Sequence, residues 1–365
     1  KLKKYKLGDY IERSTANNRT LKYKEDLIVG VTSDGVFSSP KGNVNGVDLT
    51  PYKIVNNGDF VYNPSRFDLG SIAYRTEGLC IVSHLYQIFH LNEKGKEKID
   101  PIWLFIYLRR KEFRREVTFR NFGSQRPEFN FNDLSEIVLP LPSIEQQRKY
   151  VDVYLALQNN LAVYQSKADE LKLVCEGYIE ELRRKNPCEK IGPFVSPCDE
   201  RNSDLKIKLA QGITNDKEFA TPKQVAEAET SAKIVRKGQF AYNRATTRNG
   251  EKISIAYRTG DDCVVSSAYQ IFEISAKDKL YPEYLMMWYK RSEFDRYARY
   301  MSKGSAHEFF EYEDMENVRI PIPPIEIQKA IASIYSVYKE RQRIAEALKE
   351  QIKNICPVLI RGSLT

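Results

Sequence analysis

The stretch "LPLPSIEQQ" at residues 139–147 decides how this chain is organised, because it returns as "IPIPPIEIQ" at residues 320–328. Each copy alternates proline with an aliphatic residue and continues into Ile-Glu-x-Gln and a long charged run. Proline donates no ladder hydrogen bond and disfavours helix at the preceding residue, so the first half of each copy is predicted to be extended. Ser143-x-x-Gln146 has the form of a helix capping box. The phrase therefore predicts an extended segment followed by a helix, twice in one chain.

An internal repeat extends this match over most of the chain. At an offset of about 180 residues, six further stretches of the first half return in the second half in the same order. They are "KLGDYI" (6–11) and "KIGPFV" (190–195), "GVTSDGVF" (30–37) and "GITNDKEF" (212–219), "GDFVYN" (58–63) and "GQFAYN" (238–243), "SIAYRT" (71–76 and 254–259), "CIVSHLYQIF" (80–89) and "CVVSSAYQIF" (263–272), and, more loosely, "GSQRPEFNF" (123–131) and "GSAHEFFEY" (304–312). Ordered similarity at one offset indicates a structural unit that is present twice.

Each copy divides into a globular part and a helical tail. The apolar runs of the globular part are short and are separated by Gly, Asn and Pro, which is typical of strands. One internal helix is predicted in each, with Asp100 as its cap and Pro101 in its first turn in one copy, and with Pro282 at its start in the other. The predicted domains are residues 1–142 and 187–323, and the predicted spacer helices are residues 143–186 and 324–365.

The two tails carry residues at the spacing of a coiled-coil seam, one every three or four positions. The first seam is Tyr150, Tyr154, Leu157, Leu161, Tyr164, Ala168, Leu171, Cys175, Tyr178 and Leu182, and the second is Ile327, Ile331, Ile334, Tyr338, Arg341, Ala345, Leu348, Ile352 and Ile355. Asn186-Pro187 and Pro357 are expected to end the helices. Each helix could pack on its own domain, but two stripes of similar length favour mutual burial. The predicted fold class is α+β, with two repeated strand-rich domains separated by two long helices that form an antiparallel coiled coil with pseudo-two-fold symmetry.

Several catalytic classes lack their motifs in this sequence. No P-loop is present, and "YNPSRF" (62–67) only approaches the Asn/Asp-Pro-Pro-aromatic box of adenine methyltransferases. Six cysteines without CxxC spacing and three scattered histidines predict neither a zinc site nor a disulfide framework. The most apolar run, "IWLFIYL" (102–108), is far shorter than the ~20 residues of a membrane span. A non-catalytic cytoplasmic protein without cofactor or metal of its own is therefore expected.

Two loops in each copy are candidates for contact with nucleic acid, since arginine pairs with guanine, asparagine with adenine, and hydroxyls with bases or phosphates. One loop follows "YN", and the other surrounds the Gly-Ser dipeptide. The candidate residues are Tyr62, Asn63, Ser65, Arg66, Ser124, Gln125 and Arg126 in the first copy, and Tyr242, Asn243, Arg244, Thr247, Arg248, Lys303, Ser305 and His307 in the second. Cations of the internal helices, among them Arg109, Arg114, Arg115 and Arg296, could neutralise phosphates. Equivalent loops with different sequences favour a different short site for each half.

The repeated "YN…SIAYR…YQIF" core, the two proline phrases and the half-to-half duplication resemble the specificity (S) subunit of type I restriction-modification systems. The resemblance implies two target recognition domains that read a bipartite, asymmetric sequence in double-stranded DNA. It also implies helices that dock methyltransferase (M) subunits, two of them expected, and set the spacing of the half-sites. S-adenosylmethionine would then belong to the M subunits, and ATP and Mg²⁺ to restriction (R) subunits where these join.

Two alternatives stay open at the level of sequence. One is the specificity subunit of a related two-subunit restriction enzyme. The other is a coiled-coil scaffold that binds proteins and no DNA, because the net charge of +8 over the chain does not extend to residues 186–324, where 21 basic residues meet 21 acidic ones. The type I specificity subunit is the preferred interpretation, because the duplicated domains differ in their loops.

Overall fold

The computed structural model describes residues 3–40, 42–120, 128–222, 230–245, 252–303 and 308–364. The chain forms two compact units, the first made of Lys1–Val163 with Ala345–Thr365 and the second of Tyr164–Ile344. Each unit contains one globular domain and part of both long helices. The first unit therefore pairs the beginning of one long helix with the end of the other, and the second unit pairs the remaining parts.

Among its described residues, the first copy has ten strands and four short helices before its long helix. The strands are β1 (Lys4–Lys6), β2 (Ile11–Arg13), β3 (Gly30–Val31), β4 (Phe37–Ser38), β5 (Lys53–Val55), β6 (Phe60–Tyr62), β7 (Ile72–Tyr74), β8 (Cys80–Val82), β9 (Gln87–Leu91) and β10 (Val138–Pro140). The helices are α1 (Glu93–Lys98), α2 (Pro101–Leu108), α3 (Lys111–Arg120), α4 (Phe131–Ser135) and the long α5 (Ile144–Lys185).

The second copy repeats this order except for α1, because the described residues between β19 and α6 form a turn and no helix. Its strands are β11 (Cys188–Lys190), β12 (Val195–Cys198), β13 (Gly212–Ile213), β14 (Phe219–Ala220), β15 (Lys233–Val235), β16 (Gln239–Asn243), β17 (Ile255–Tyr257), β18 (Cys263–Val265), β19 (Tyr269–Ile274) and β20 (Arg319–Pro321). Its helices are α6 (Pro282–Tyr289), α7 (Ser292–Met301), α8 (Tyr312–Glu316) and the long α9 (Ile325–Ser363).

Both copies build the same antiparallel sheets. The central sheet has the order β2-β9-β6-β7 in the first copy and β12-β19-β16-β17 in the second, and three two-stranded sheets accompany each. Equivalent cross-strand rings stack at the centre, Phe60 on Phe89 with centroids 4.8 Å apart and Phe240 on Phe272 with centroids 5.0 Å apart. The repeat found in the sequence is thus a repeat of fold, and the predicted fold class is confirmed.

The central sheet is buried on both faces. Phe60 and Tyr62 of β6 join the main core with Trp103 of α2, while Val61 between them joins a second cluster with Val55 of β5. Alternate residues of a strand point to opposite faces, so an entirely apolar strand requires cover on both sides. This explains why the strand motifs of the sequence read as continuous apolar runs.

The single internal helix predicted in each copy is two helices in the structure. In the first copy α2 ends at Leu108 and α3 starts at Lys111. Asp100 caps α2 as predicted, because its Oδ1 accepts hydrogen bonds from the N–H groups of Ile102 (2.9 Å) and Trp103 (3.1 Å). The break has a physical reason, since the change of direction brings Phe113 of α3 into the core that α2 already fills.

The proline phrase joins each domain to its long helix. Its extended half is strand β10 or β20, which pairs with the first strand of the same copy, β1 or β11. The hydroxyl of Ser143 then accepts a hydrogen bond from the N–H of Gln146 at 3.2 Å, which is the predicted N-cap contact. The extended half is therefore anchored to its own domain.

A buried glutamine locks each of these joints. In the first copy Gln147 accepts from the N–H of Asp100 (2.8 Å) and donates to the carbonyls of Lys98 (2.8 Å) and Pro142 (3.0 Å). In the second copy Gln328 makes the same three bonds, to the N–H of Tyr281 (2.9 Å) and the carbonyls of Lys279 (2.7 Å) and Pro323 (2.7 Å). Both side chains are completely buried. Because both N–H donors and the oxygen of the carboxamide are engaged, helix and domain are held in one orientation.

The seams of the long helices follow the prediction with small shifts. On α5, Ala168, Cys175 and Leu182 are buried, but Tyr178 is exposed and Ile179 takes its place. On α9, Ile331, Ala345 and Ile352 are buried; the predicted Ile327 is exposed, and the next residue, Gln328, is the buried one.

Pro357 does not end the second long helix, which is a correction to the sequence-based expectation. Helix α9 continues to Ser363 with Pro357 inside it. The residues beyond the proline are anchored in the first unit, because Ile360 belongs to its main core and the indole N–H of Trp103 donates to Ser363 Oγ at 2.9 Å. These contacts offset the single helical hydrogen bond that a proline removes.

Candidate nucleic-acid interface

The loop after β6 starts with an asparagine cap. Asn63 Oδ1 accepts a hydrogen bond from the N–H of Ser65 at 3.0 Å and so closes a short 3-10 helix over Pro64–Arg66. Ser65 and Arg66 are exposed on it, whereas Phe67 turns inward and stacks on Tyr62 with centroids 4.6 Å apart. The loop thus exposes the hydroxyl of Ser65 and the guanidinium of Arg66 to solvent, while Phe67 anchors it in the core.

The loop after β16 repeats the asparagine turn. Asn243 Oδ1 accepts from the N–H of Ala245 at 3.1 Å. Arg244 is half-buried, pairs with Glu311 at 3.1 Å and lies over the ring of Phe309 at 5.8 Å. Its charge is therefore partly neutralised inside the protein, in contrast to that of Arg66. In the described parts of the two loops, the arginines therefore lie in different environments.

One backbone hydrogen bond in each unit joins the two predicted recognition loops. The N–H of Phe129 donates to the carbonyl of Pro64 at 3.1 Å, and the N–H of Phe310 donates to the carbonyl of Arg244 at 2.9 Å. Phe129 and Phe310 are equivalent residues that follow the Gly-Ser segment of their copy. In the second unit the exposed Lys303 also pairs through its backbone with Phe309. The described residues that flank two stretches about 65 residues apart in sequence therefore lie side by side in each unit.

The structure places the two candidate tyrosines in the core, which corrects the prediction that they contact DNA. Tyr62 and Tyr242 are completely buried, and each ring packs on the phenylalanine of the adjacent strand, Phe89 or Phe272. Burial raises the pKa of both hydroxyls far above the usual value. Their place in the "YN" motif is a packing requirement, and only the asparagine after them reaches the surface.

Seven of the predicted contact residues lie outside the described residues. These are Ser124, Gln125, Arg126, Thr247, Arg248, Ser305 and His307. Besides the buried Tyr62 and Tyr242, the described candidates are Asn63, Ser65 and Arg66 in the first unit and Asn243, Arg244 and Lys303 in the second.

Two of the helix cations that were expected to meet phosphates instead anchor the recognition loop of the first unit. Arg114 Nε donates to the carbonyl of Asp68 at 2.5 Å, and Arg109 donates to the carbonyls of Ser33 (3.3 Å) and Gly70 (3.5 Å). Burial lowers the pKa of Arg109. These guanidiniums lie beneath the loop, so the expectation that they neutralise phosphates is corrected for both.

The second unit anchors its loop with the opposite charge at the same helix position. Asp295 is equivalent to Arg114, accepts from the N–H of Ile253 at 3.2 Å and pairs with Lys217 at 2.7 Å. Lys217 replaces Gly35 of the first copy and also donates to the carbonyl of Tyr289. Both charged side chains are buried, and burial lowers the pKa of Lys217. In the aligned repeats this difference is visible as a paired exchange, Gly35 and Arg114 in the first copy for Lys217 and Asp295 in the second.

Within the described ranges no group of three or more His, Cys, Asp or Glu residues is arranged to hold a metal ion. No helix of the described chain is both long and apolar enough to cross a bilayer. The arrangement that both units share is a polar loop surface on a locked scaffold.

The comparisons with known proteins agree with this architecture. The family model described as type I restriction modification DNA specificity domain matches residues 1–173 and 198–354, and the chain belongs to that family. A Methanocaldococcus jannaschii protein with the provisional name type I restriction enzyme MjaX specificity subunit is 21% identical over 353 residues, covering 87% of this chain and 80% of that protein.

Two solved structures share the fold along the whole chain. The type I restriction-modification system S subunit from M. genitalium superimposes with a TM-score of 0.62 at 12% identity, covering 100% of this chain and 96% of that one. A chain from a study of complex assembly and conformational transition of the type I R-M system gives a TM-score of 0.50 at 16% identity, covering 100% of this chain and 98% of that one.

Proposed function

We propose that this chain is the non-catalytic specificity subunit of a type I restriction-modification complex and reads a bipartite, asymmetric sequence in double-stranded DNA. The observation that carries the proposal is the pair of hydrogen bonds from Phe129 to Pro64 and from Phe310 to Arg244, which tie a described residue beside one predicted recognition loop to the other loop in each unit. The scaffolds are equivalent, but the loops after the asparagine differ in sequence and length, residues 64–70 in one copy and 244–252 in the other. Two similar surfaces with different tips fit two different half-sites.

The long helices would dock the methyltransferase subunits and fix the distance between half-sites. Their joints support this role, because Gln147 and Gln328 hold each helix to its domain through three hydrogen bonds. Exposed apolar side chains remain on both helices, among them Leu173 on α5 and Val358 on α9. The M subunits would supply S-adenosylmethionine and transfer its methyl group, and R subunits, where present, would use ATP and Mg²⁺.

A salt titration of DNA binding tests this proposal against the protein-binding scaffold. The complex with the M subunit is mixed with duplexes carrying both half-sites, one half-site or neither. Phosphate contacts require the affinity to fall steeply as salt rises, and base contacts require the full site to bind best. Equal binding to all three duplexes, or an affinity indifferent to salt, would favour the scaffold.

A further inference from the structure

The two most exposed large hydrophobic side chains in the described part of the chain occupy the same position in the two copies. Phe119 on α3 is 81% exposed, and Tyr300 on α7 is 86% exposed. Each residue lies six positions after a buried phenylalanine, Phe113 or Phe294, that anchors its helix in the core. A single exposed aromatic residue needs no explanation, but the same one in both copies of a diverged repeat does.

An exposed arginine accompanies each of these rings. Arg115 lies one helical turn before Phe119, and Arg296 lies one turn before Tyr300, so each pair shares a helix face. Arg115 and Arg296 are exposed, and the nearest carboxylate oxygen recorded for Arg296 is that of Glu293 at 4.0 Å. An aromatic ring with a cation beside it matches a nucleic acid, where bases and phosphates alternate over a short distance.

These two helices also support the recognition loops. Arg114 on α3 binds the loop backbone at Asp68, and Asp295 on α7 binds the loop backbone at Ile253. The exposed pair therefore sits on the element that positions each loop.

We propose that Phe119 and Tyr300 stack on bases of the duplex at their respective half-sites, while Arg115 and Arg296 contact the flanking phosphates. The inference rests on the proposed function and adds a contact independent of base identity. The loops differ between copies, as reading different bases requires, but the ring is kept as Phe or Tyr. In a duplex the ring has to insert at a base step and partly unstack it. Once the step is open, stacking uses the π-face that every base offers, so this contact does not change with the sequence read.

The test combines binding and fluorescence on the complex reconstituted with its M subunits. Phe119→Ala is expected to weaken binding about ten- to a hundred-fold through the first half-site, and Tyr300→Ala through the second. In a series of duplexes, 2-aminopurine replaces one base of a half-site at a time. The wild-type complex is expected to change the fluorescence of the probe at one base step of each half-site, and the alanine variant to abolish that change. Phe119→Tyr and Tyr300→Phe keep both signals because they keep the ring.

Leu85→Ala is the matched control, since Leu85 is 63% exposed in the same unit and the second copy has Ala268 at the equivalent place. This variant is expected to bind like the wild type. Unchanged DNA binding and fluorescence in both alanine variants would overturn the inference while leaving the proposed function intact. Weaker assembly with M subunits at unchanged DNA affinity would also overturn it, because the two rings would then contact a protein and not DNA. A wild-type complex without preference for the full site would instead overturn the proposed function, and this inference with it.

Discussion

Gln147 and Gln328 hold equivalent positions in the two copies, and each ties the start of a long helix to the residue that precedes the apolar helix of its domain, Asp100 or Tyr281. The doubled proline phrase of the sequence ends on these two residues. The proline phrase therefore forms a rigid connection between domain and helix. Its first half is a strand that pairs with the domain, and the glutamine at its end fixes the start of the helix. A protein that measures a distance between two half-sites needs such a joint to be rigid.

Gln147→Leu is expected to lower the free energy of unfolding by roughly 2–4 kcal/mol. The change leaves the N–H of Asp100 and the carbonyls of Lys98 and Pro142 buried without their partner, which costs more than the lost bonds themselves. Urea unfolding followed by circular dichroism measures the difference. Gln146→Ile is the matched control, because the second copy already has Ile327 there, and it should be near neutral.

Tyr62→Phe and Tyr242→Phe are expected to leave DNA binding unchanged and to reduce alkaline destabilisation. Neither hydroxyl has a hydrogen-bond partner in the described part of the chain. Burial raises the folded-state pKa of both, so the folded protein retains protons that the unfolded chain releases above the ordinary tyrosine pKa near 10. Stability is then present below about pH 10 and falls above it by up to ~1.4 kcal/mol per pH unit for each tyrosine.

Unfolding curves between pH 8 and pH 11 test this, since each phenylalanine variant should lose less stability than the wild type. An identical pH dependence in wild type and variants would contradict the buried placement. Weaker DNA binding by the variants at pH 7 would restore the original prediction of a contact.

Breaking the buried Lys217–Asp295 pair should be costly. Lys217→Met leaves the Asp295 carboxylate buried without its cation, and a loss of about 3–5 kcal/mol is expected. The double variant Lys217→Met, Asp295→Leu should recover a large part of it, but not all, because the N–H of Ile253 loses its acceptor. A double-mutant cycle in urea measures the coupling, and additive effects would show that the two side chains do not interact.

Arg66→Ala is expected to weaken binding by about 1–3 kcal/mol at the first half-site only, because its guanidinium is exposed on the recognition loop. Arg19→Ala removes another exposed arginine of the same unit outside that loop and serves as the control. Binding to duplexes in which one half-site at a time is scrambled separates local from general effects. Equal losses of DNA affinity for the two arginine variants would show that Arg66 contributes only a general positive charge and does not read the first half-site.

Much of the architecture could be predicted from the sequence because the same structural unit is encoded twice in one chain. Ordered repeats, short apolar runs and residues every three or four positions are local signals, and the fold class follows from them. The failures concern tertiary context: Pro357 is carried inside α9 by the anchoring of Ile360 and Ser363 in a core formed by distant residues.

The candidate site was harder to predict for the same reason. Tyr62 shares a face with Phe60 on a strand that is buried on both faces, but only the elements that cover this face show that the tyrosine cannot reach solvent. The anchoring roles of Arg114 and Asp295 depend on loops far away in the sequence. Exposed loop residues were identifiable by type, whereas the residues that position them were not.

Methylation-site sequencing of cells that express this chain with its M subunit tests the central claim most directly. The account predicts an interrupted motif, in which replacing residues 187–323 by those of a relative changes one half-site only. Removing one heptad from the middle of each long helix, well beyond the Gln147 and Gln328 joints, should change the gap and keep the bases. An uninterrupted motif, one unchanged after the domain exchange, or half-site bases that change with helix length would contradict it.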